Sequence, residues 1–110
     1  MKEKSLLLQL TGEMPLFKII DFLVDNKGLD FTKTDIEKGA DISRASLFNY
    51  WEQLEKNSLV RVTRRFGNTK LFTLNSESPV VKKILELEST LIRQAMQNVA
   101  VKKKVILVNN

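Results

Sequence analysis

A chain of 110 residues with 43% hydrophobic side chains can bury one modest core and not two. The absence of cysteine and histidine removes disulfides, thiolate and imidazole metal sites, and the commonest nucleophile and base pairs. The formal charge of +5 is unevenly spread: residues 43–74 hold six basic and two acidic side chains, a balance of +4, against −2 for residues 1–42, which favours a polyanionic partner for the basic region.

In chain order, Ser5–Leu10 is a short apolar run that fits a strand or an extra helical turn equally well. Pro15 suits the first turn of a helix in which Leu16, Ile19, Ile20, Leu23 and Val24 recur at helical spacing until Lys27-Gly28 ends it. That stripe reads as core, and Phe17, Phe22 and Phe31 share that core or its margin. Thr32 can cap a second helix, with Asp35 three residues on as the reciprocal acid of a capping box, so Lys33–Lys38 is predicted helical. Gly39 suits a position past its end, where a residue without a Cβ takes positive φ and reverses the chain. Asp41 and Ile42 complete the turn.

Ser43 can cap the next helix, which is predicted to run to about Asn57. Leu47, Trp51 and Leu54 recur at i, i+4 and i+7 and point inward. The outward set is then Ala45, Ser46, Asn49, Tyr50 and Gln53, small or hydrogen-bonding and without an acid, as a surface approaching phosphates and base edges requires. Arg44 at the helix start can reach a phosphate or the O6 and N7 acceptors of guanine, while Asn49 and Gln53 have the amide geometry that pairs with adenine. Taken alone, the same residues also suit a merely solvated face.

Leu59–Arg65 and Lys70–Leu74 alternate around Phe66-Gly67-Asn68-Thr69 and read as a β-hairpin, with Val60, Val62, Phe72 and Leu74 strand-like. Arg61, Arg64, Arg65 and Lys70 set four cations on or near one ribbon, and a tip of this kind can lie along a phosphate backbone or enter a minor groove. Phe66 reads as a wedge or a cap. The bland alternative is an edge ribbon kept from aggregating by its charge.

Ser78-Pro79 starts a long helix predicted to reach about Lys103. Val80, Ile84, Leu87, Leu91 and Ala95 form one apolar stripe and Val81, Leu85, Ile92, Met96 and Val99 a neighbouring one, more than a single small domain can cover. One stripe is therefore expected at home, and the Val81 to Val99 stripe against the same helix of a second subunit in a two-fold dimer. The alternative is a helix packed wholly on its own chain. The ending KKKVILVNN reads as a flexible tail or, over Val105–Val108, as a strand.

The stretch DISRASLFNYWEQLEKNSLVRV followed by RRFGNTKLFTL resembles the winged helix-turn-helix transcriptional regulators of bacteria and archaea, of MarR or ArsR type, which commonly read ISRATVxxxLxxLExxGLV. Ile42, Ser43, Arg44, Ala45, Leu47, Trp51, Leu54, Glu55, Leu59 and Val60 match, with Trp51 replacing the usual leucine and Ser58 the usual glycine. Since that glycine supplies a left-handed turn, the turn falls to Asn57 here. The resemblance covers roughly residues 14–75 and is more specific for fold than for function, because some members of the fold bind only proteins or RNA.

The expected fold is mainly α with a small β-hairpin: a winged helix over residues 1–78, then a dimerisation helix and tail over 79–110, within one compact unit. The expected function is sequence-specific binding of double-stranded DNA by a homodimer that regulates transcription. Arg44, Ser46, Asn49, Tyr50 and Gln53 are placed in the groove and Arg64, Arg65, Asn68 and Lys70 on the backbone, with two recognition helices reading an inverted repeat. A protein-interaction module, or a binder of RNA or replication-origin DNA, is the alternative. The carboxylates are scattered and no glycine-rich phosphate loop is present, so neither catalysis, cofactor nor metal is expected, carboxylate-only sites for hard cations apart. No pattern identifies a small-molecule effector. No apolar run approaches the roughly 20 residues that span a bilayer and no secretory signal is evident, so a cytoplasmic protein without a membrane partner is expected.

Overall fold

The computed structural model describes residues 4–108, so the end of the expected tail, Asn109-Asn110, lies outside the described residues. The elements are α1 (Leu6–Thr11), α2 (Pro15–Asp25), α3 (Lys33–Gly39), α4 (Arg44–Lys56), the antiparallel strands β1 (Val60–Phe66) and β2 (Thr69–Leu74), and α5 (Pro79–Val108). The class is the expected one, helical with a single hairpin.

Local capping explains most helix starts. The ambiguous opening run is helical because the Ser5 hydroxyl accepts from the Leu8 N–H at 3.1 Å and donates to Asp21 at 2.7 Å, which caps α1 and docks it on α2. Both halves of the Thr32 and Asp35 capping box are present, at 3.0 and 3.1 Å. Ser43 caps α4 by accepting from the Ser46 N–H at 3.0 Å.

Ile19, Leu23, Ile36, Leu54 and Val81 are fully buried and join Leu47, Trp51, Val60, Phe72 and Leu74 in one cluster where α2, α3, α4, the hairpin base and the start of α5 meet. Each such aliphatic side chain contributes roughly 1.5–3 kcal/mol relative to exposure. Trp51 meets Phe72 edge-on with centroids 4.7 Å apart, and the Lys33 ammonium stands 4.8 Å from the Trp51 ring. Phe31 and Phe72 exchange two backbone hydrogen bonds of 2.7 and 2.8 Å, so the loop before α3 is clamped to the hairpin.

Two turns differ from expectation. Gly39 is the last helical residue of α3, and the left-handed residue is Asp41 at φ 56°, whose carbonyl accepts from the Lys18 ammonium at 2.9 Å. Gly39 lacks a side chain for another reason: a Cβ there would run into the Phe22 ring. At the end of α4, Asn57 stays at φ −92° and Ser58 itself takes the left-handed turn at φ 54°, at the position where the resembled regulators carry glycine. Asn75 supports that strained residue: its side-chain amide donates to the Ser58 carbonyl at 3.0 Å and its N–H to the Leu59 carbonyl at 2.9 Å.

The long helix also divides differently from the stripe expectation. Val81 is fully buried in the home core and Leu85 is half-buried against it, so the N-terminal part of the expected dimer stripe is already covered. Further along the same stripe Ile92, Met96 and Val99 are exposed by 44%, 66% and 54%. The division runs along the helix as well as around it: Val80 and Leu87 of the other stripe are exposed by 48% and 38% while Leu91 packs against the home core, and 30 residues extend about 45 Å, past the end of a small domain. The segment read as a tail or strand over Val105–Val108 belongs to α5. Among the described residues no helix is long and apolar enough to cross a membrane.

Candidate nucleic-acid interface

The α3 helix packs on α4 across the Asp41 turn, and α4 packs on β1 of the hairpin. Of the residues expected on the reading face, Asn49 and Gln53 are exposed on α4. Arg44 is 80% exposed in its side chain and lies 3.6 Å from the Glu37 carboxylate, within reach of its own α3 neighbour. Ser46 is half-buried, and its hydroxyl accepts from the capping Ser43 hydroxyl at 3.1 Å. Tyr50 leans back and packs against the core.

Four exposed residues of α4 lie on or beside this face and are not in the expected outward set: Phe48, Glu52, Glu55 and Lys56. Phe48 is 82% exposed, the most exposed large hydrophobic among the described residues. It follows Leu47 directly, and a step of about 100° carries it off the core stripe. The outward side of α4 therefore carries acids after all, Glu52 one turn beyond Phe48 and Glu55 close by.

The hairpin is buried only at its base. Of β1 only Val60 is buried, and in β2 burial is confined to Phe72, Thr73 and Leu74, so the outer half stands free as a ribbon closed by Gly67-Asn68. Gly67 adopts φ 58°, as a two-residue hairpin turn requires. Arg65 and Lys70 are direct cross-strand partners near the tip, both exposed. Like charges so placed repel, which a bound anion would relieve.

Arg64 is held differently from its neighbours. Its guanidinium makes a bidentate pair with Asp30, Nε to Oδ2 at 2.9 Å and Nη2 to Oδ1 at 3.1 Å, and the Thr63 hydroxyl donates to the same carboxylate. The hydrogen bond from Arg64, then that from Thr63, holds the Asp30 carboxyl below its usual value, and Asp30 raises Arg64 in return. The register slips between Val62 and Arg64, a β-bulge that leaves Thr63 outside the ladder and turned to this contact. The pair straps the ribbon to the loop before α3 and so sets its inclination. Thirty-four residues separate the partners, so no local pattern announces it.

Among the described residues no group of three or more carboxylates is placed to hold a metal ion. The arrangement offers instead an exposed polar helix face beside a cationic ribbon.

No protein-family model matches the chain, and no curated protein sequence matches it. Solved structures do. The MepR–DNA complex of Staphylococcus aureus superposes with a TM-score of 0.59 at 17% identity, over 92% of this chain and 82% of MepR. Sso10a-2, a DNA-binding protein from Sulfolobus solfataricus, gives 0.51 at 16% identity, over 83% and 92% of the two chains. Bordetella bronchiseptica BpsR, whose DNA binding is regulated by 6-hydroxynicotinic acid, gives 0.53 at 20% identity, over 86% and 69%. Helix pair, ribbon and long terminal helix together make this chain a winged helix-turn-helix.

Proposed function

We propose that the protein binds duplex DNA sequence-specifically as a two-fold homodimer and regulates transcription without catalysing a reaction. The observation that carries the reading is the Arg65 and Lys70 pair, two cations set directly opposite each other at the tip of a ribbon beside the exposed face of α4. Charge on an edge strand also guards against aggregation, but two cations that repel each other across the ribbon are in addition suited to a phosphate backbone. In this reading α4 enters the major groove, where Asn49 and Gln53 meet base edges and Arg44 meets a base or phosphate. Ser46 and Tyr50 support its seating, and Arg65, Asn68 and Lys70 hold the ribbon on the backbone. Arg64 inclines that ribbon while keeping a partly exposed guanidinium near the phosphates.

The homodimer reading is supported by Ile92, Met96 and Val99, an exposed stripe on the part of α5 beyond the home core. A second copy of that stripe covers it, and two reading heads acting together raise affinity. The solved structures of MepR, Sso10a-2 and BpsR concern DNA binding, which agrees with the proposal.

The test is retention of a random duplex pool at two salt concentrations, followed by sequencing of what survives the higher one. An enriched inverted repeat is expected. Salt-sensitive retention without enrichment would replace sequence reading with non-specific binding, and no retention at either salt would leave a protein-docking module.

A further inference from the structure

Phe48 is the feature of α4 that solvation, phosphate contact and core packing all leave unexplained. Its ring is 82% exposed, while its neighbours Leu47 and Trp51 are buried at 4% and 6%. It lies in the first half of α4, the part of a recognition helix that approaches base edges. Arg44 stands one turn before it and Glu52 one turn after, both exposed. Phe48 and Arg44 edge the groove between α4 and α3, with Thr34 and Glu37 on its far side, and on the duplex-DNA reading this early part of α4 approaches the floor of the major groove while the ribbon's cations take the backbone.

An aromatic ring on that floor has one prominent apolar feature to meet. Among the hydrogen-bonding groups of the major groove, the C5-methyl of thymine is the one methyl group and the most prominent apolar projection. We infer that Phe48 is a specificity-determining residue that packs against a thymine methyl in each half-site, beside the adenine-directed amide of Asn49. This rests on the duplex-DNA reading above.

Deoxyuridine differs from thymidine only by that methyl, so it isolates the contact. In the best duplex from the random pool, each thymine is replaced in turn by deoxyuridine, and affinity is measured by fluorescence anisotropy for the wild-type chain, Phe48→Ala and Phe48→Leu. The wild type is expected to lose about 3- to 10-fold at one thymine per half-site, the scale of a buried methyl. Phe48→Ala should bind the two duplexes equally, Phe48→Leu should keep a reduced preference, and the salt slope should be unchanged in both. An exposed position makes these substitutions neutral to folding, checked by circular dichroism. Indifference of the wild type to every replacement, or an undiminished preference in Phe48→Ala, overturns the inference while leaving DNA binding intact. Failure of the wild type to bind any duplex overturns both.

Discussion

Neutralising either member of the Arg65 and Lys70 pair should move stability and affinity in opposite directions. Lys70→Gln keeps the polarity and most of the length of the side chain and removes the cation facing Arg65 across the ribbon. Opposed like charges cost up to about 1 kcal/mol, and at two exposed positions about 0.3 kcal/mol is the reasonable share. Relief of that repulsion should raise the thermal midpoint of a domain this size by about one or two degrees. DNA binding should weaken. Each phosphate left without its cation lowers the salt slope by about 0.9, so between 50 and 200 mM salt the mutant's deficit changes by about 3.5-fold for one phosphate and about 12-fold for two in a dimer. Arg65→Gln should behave alike. The double variant should gain little further stability, since one substitution already removes the repulsion, yet should bind more weakly again. Calorimetry and anisotropy titrations at several salt concentrations read both quantities. A lowered midpoint would refute the cross-strand repulsion, and an unchanged salt slope would refute the assignment of this pair to phosphates.

Gly39→Ala sets helix propensity, worth up to about 1 kcal/mol in favour of alanine, against overpacking of the Phe22 ring, typically about 1–3 kcal/mol. Net destabilisation of about 1–2 kcal/mol in urea unfolding is expected, vanishing when Phe22→Leu makes room. Met96→Glu should turn a dimer into a monomer in sedimentation velocity with little change in the monomer's unfolding, whereas Val81→Ala, in the home core, should cost about 2 kcal/mol in either state. The Asp30 carboxyl, depressed below its ordinary 3.8 by Arg64 and then Thr63, contributes fully above that value and is lost as pH falls through its lower folded value. The Arg64 Nε proton resonance should therefore stay constant from neutrality to about pH 4 and shift only below, and Asp30→Asn should abolish that step.

Features set by adjacent residues are legible in the sequence: the Thr32 and Asp35 box, the Ser43 cap, and the Leu47, Trp51 and Leu54 stripe each need only a few residues to specify them. What escapes depends on parts of the chain meeting in space. Gly39 reads as a turn former until Phe22 is seen beside it, and the Asp30 strap joins segments that share no local pattern. The two stripes of α5 look equivalent along a helical wheel because periodicity carries no information about where the domain ends. Phe48 is hidden for a similar reason: hydrophobicity announces burial, and its 82% exposure breaks that correlation. The left-handed turn at Ser58 shows the converse, since Asn75, 17 residues away, makes tolerable what the residue type alone argues against.

That small clasp has mechanical weight. Asn75 grips the exit of α4 and the entry of β1 with its amide groups, and its own carbonyl accepts from the Ser78 N–H at 3.0 Å, at the threshold of α5. The end of α4, the start of β1 and the start of α5 thereby meet at a single hydrogen-bonded joint. In the proposed dimer this joint would fix how each helix and ribbon is presented, and the reach of the pair would be set by the angle at which the two long helices cross.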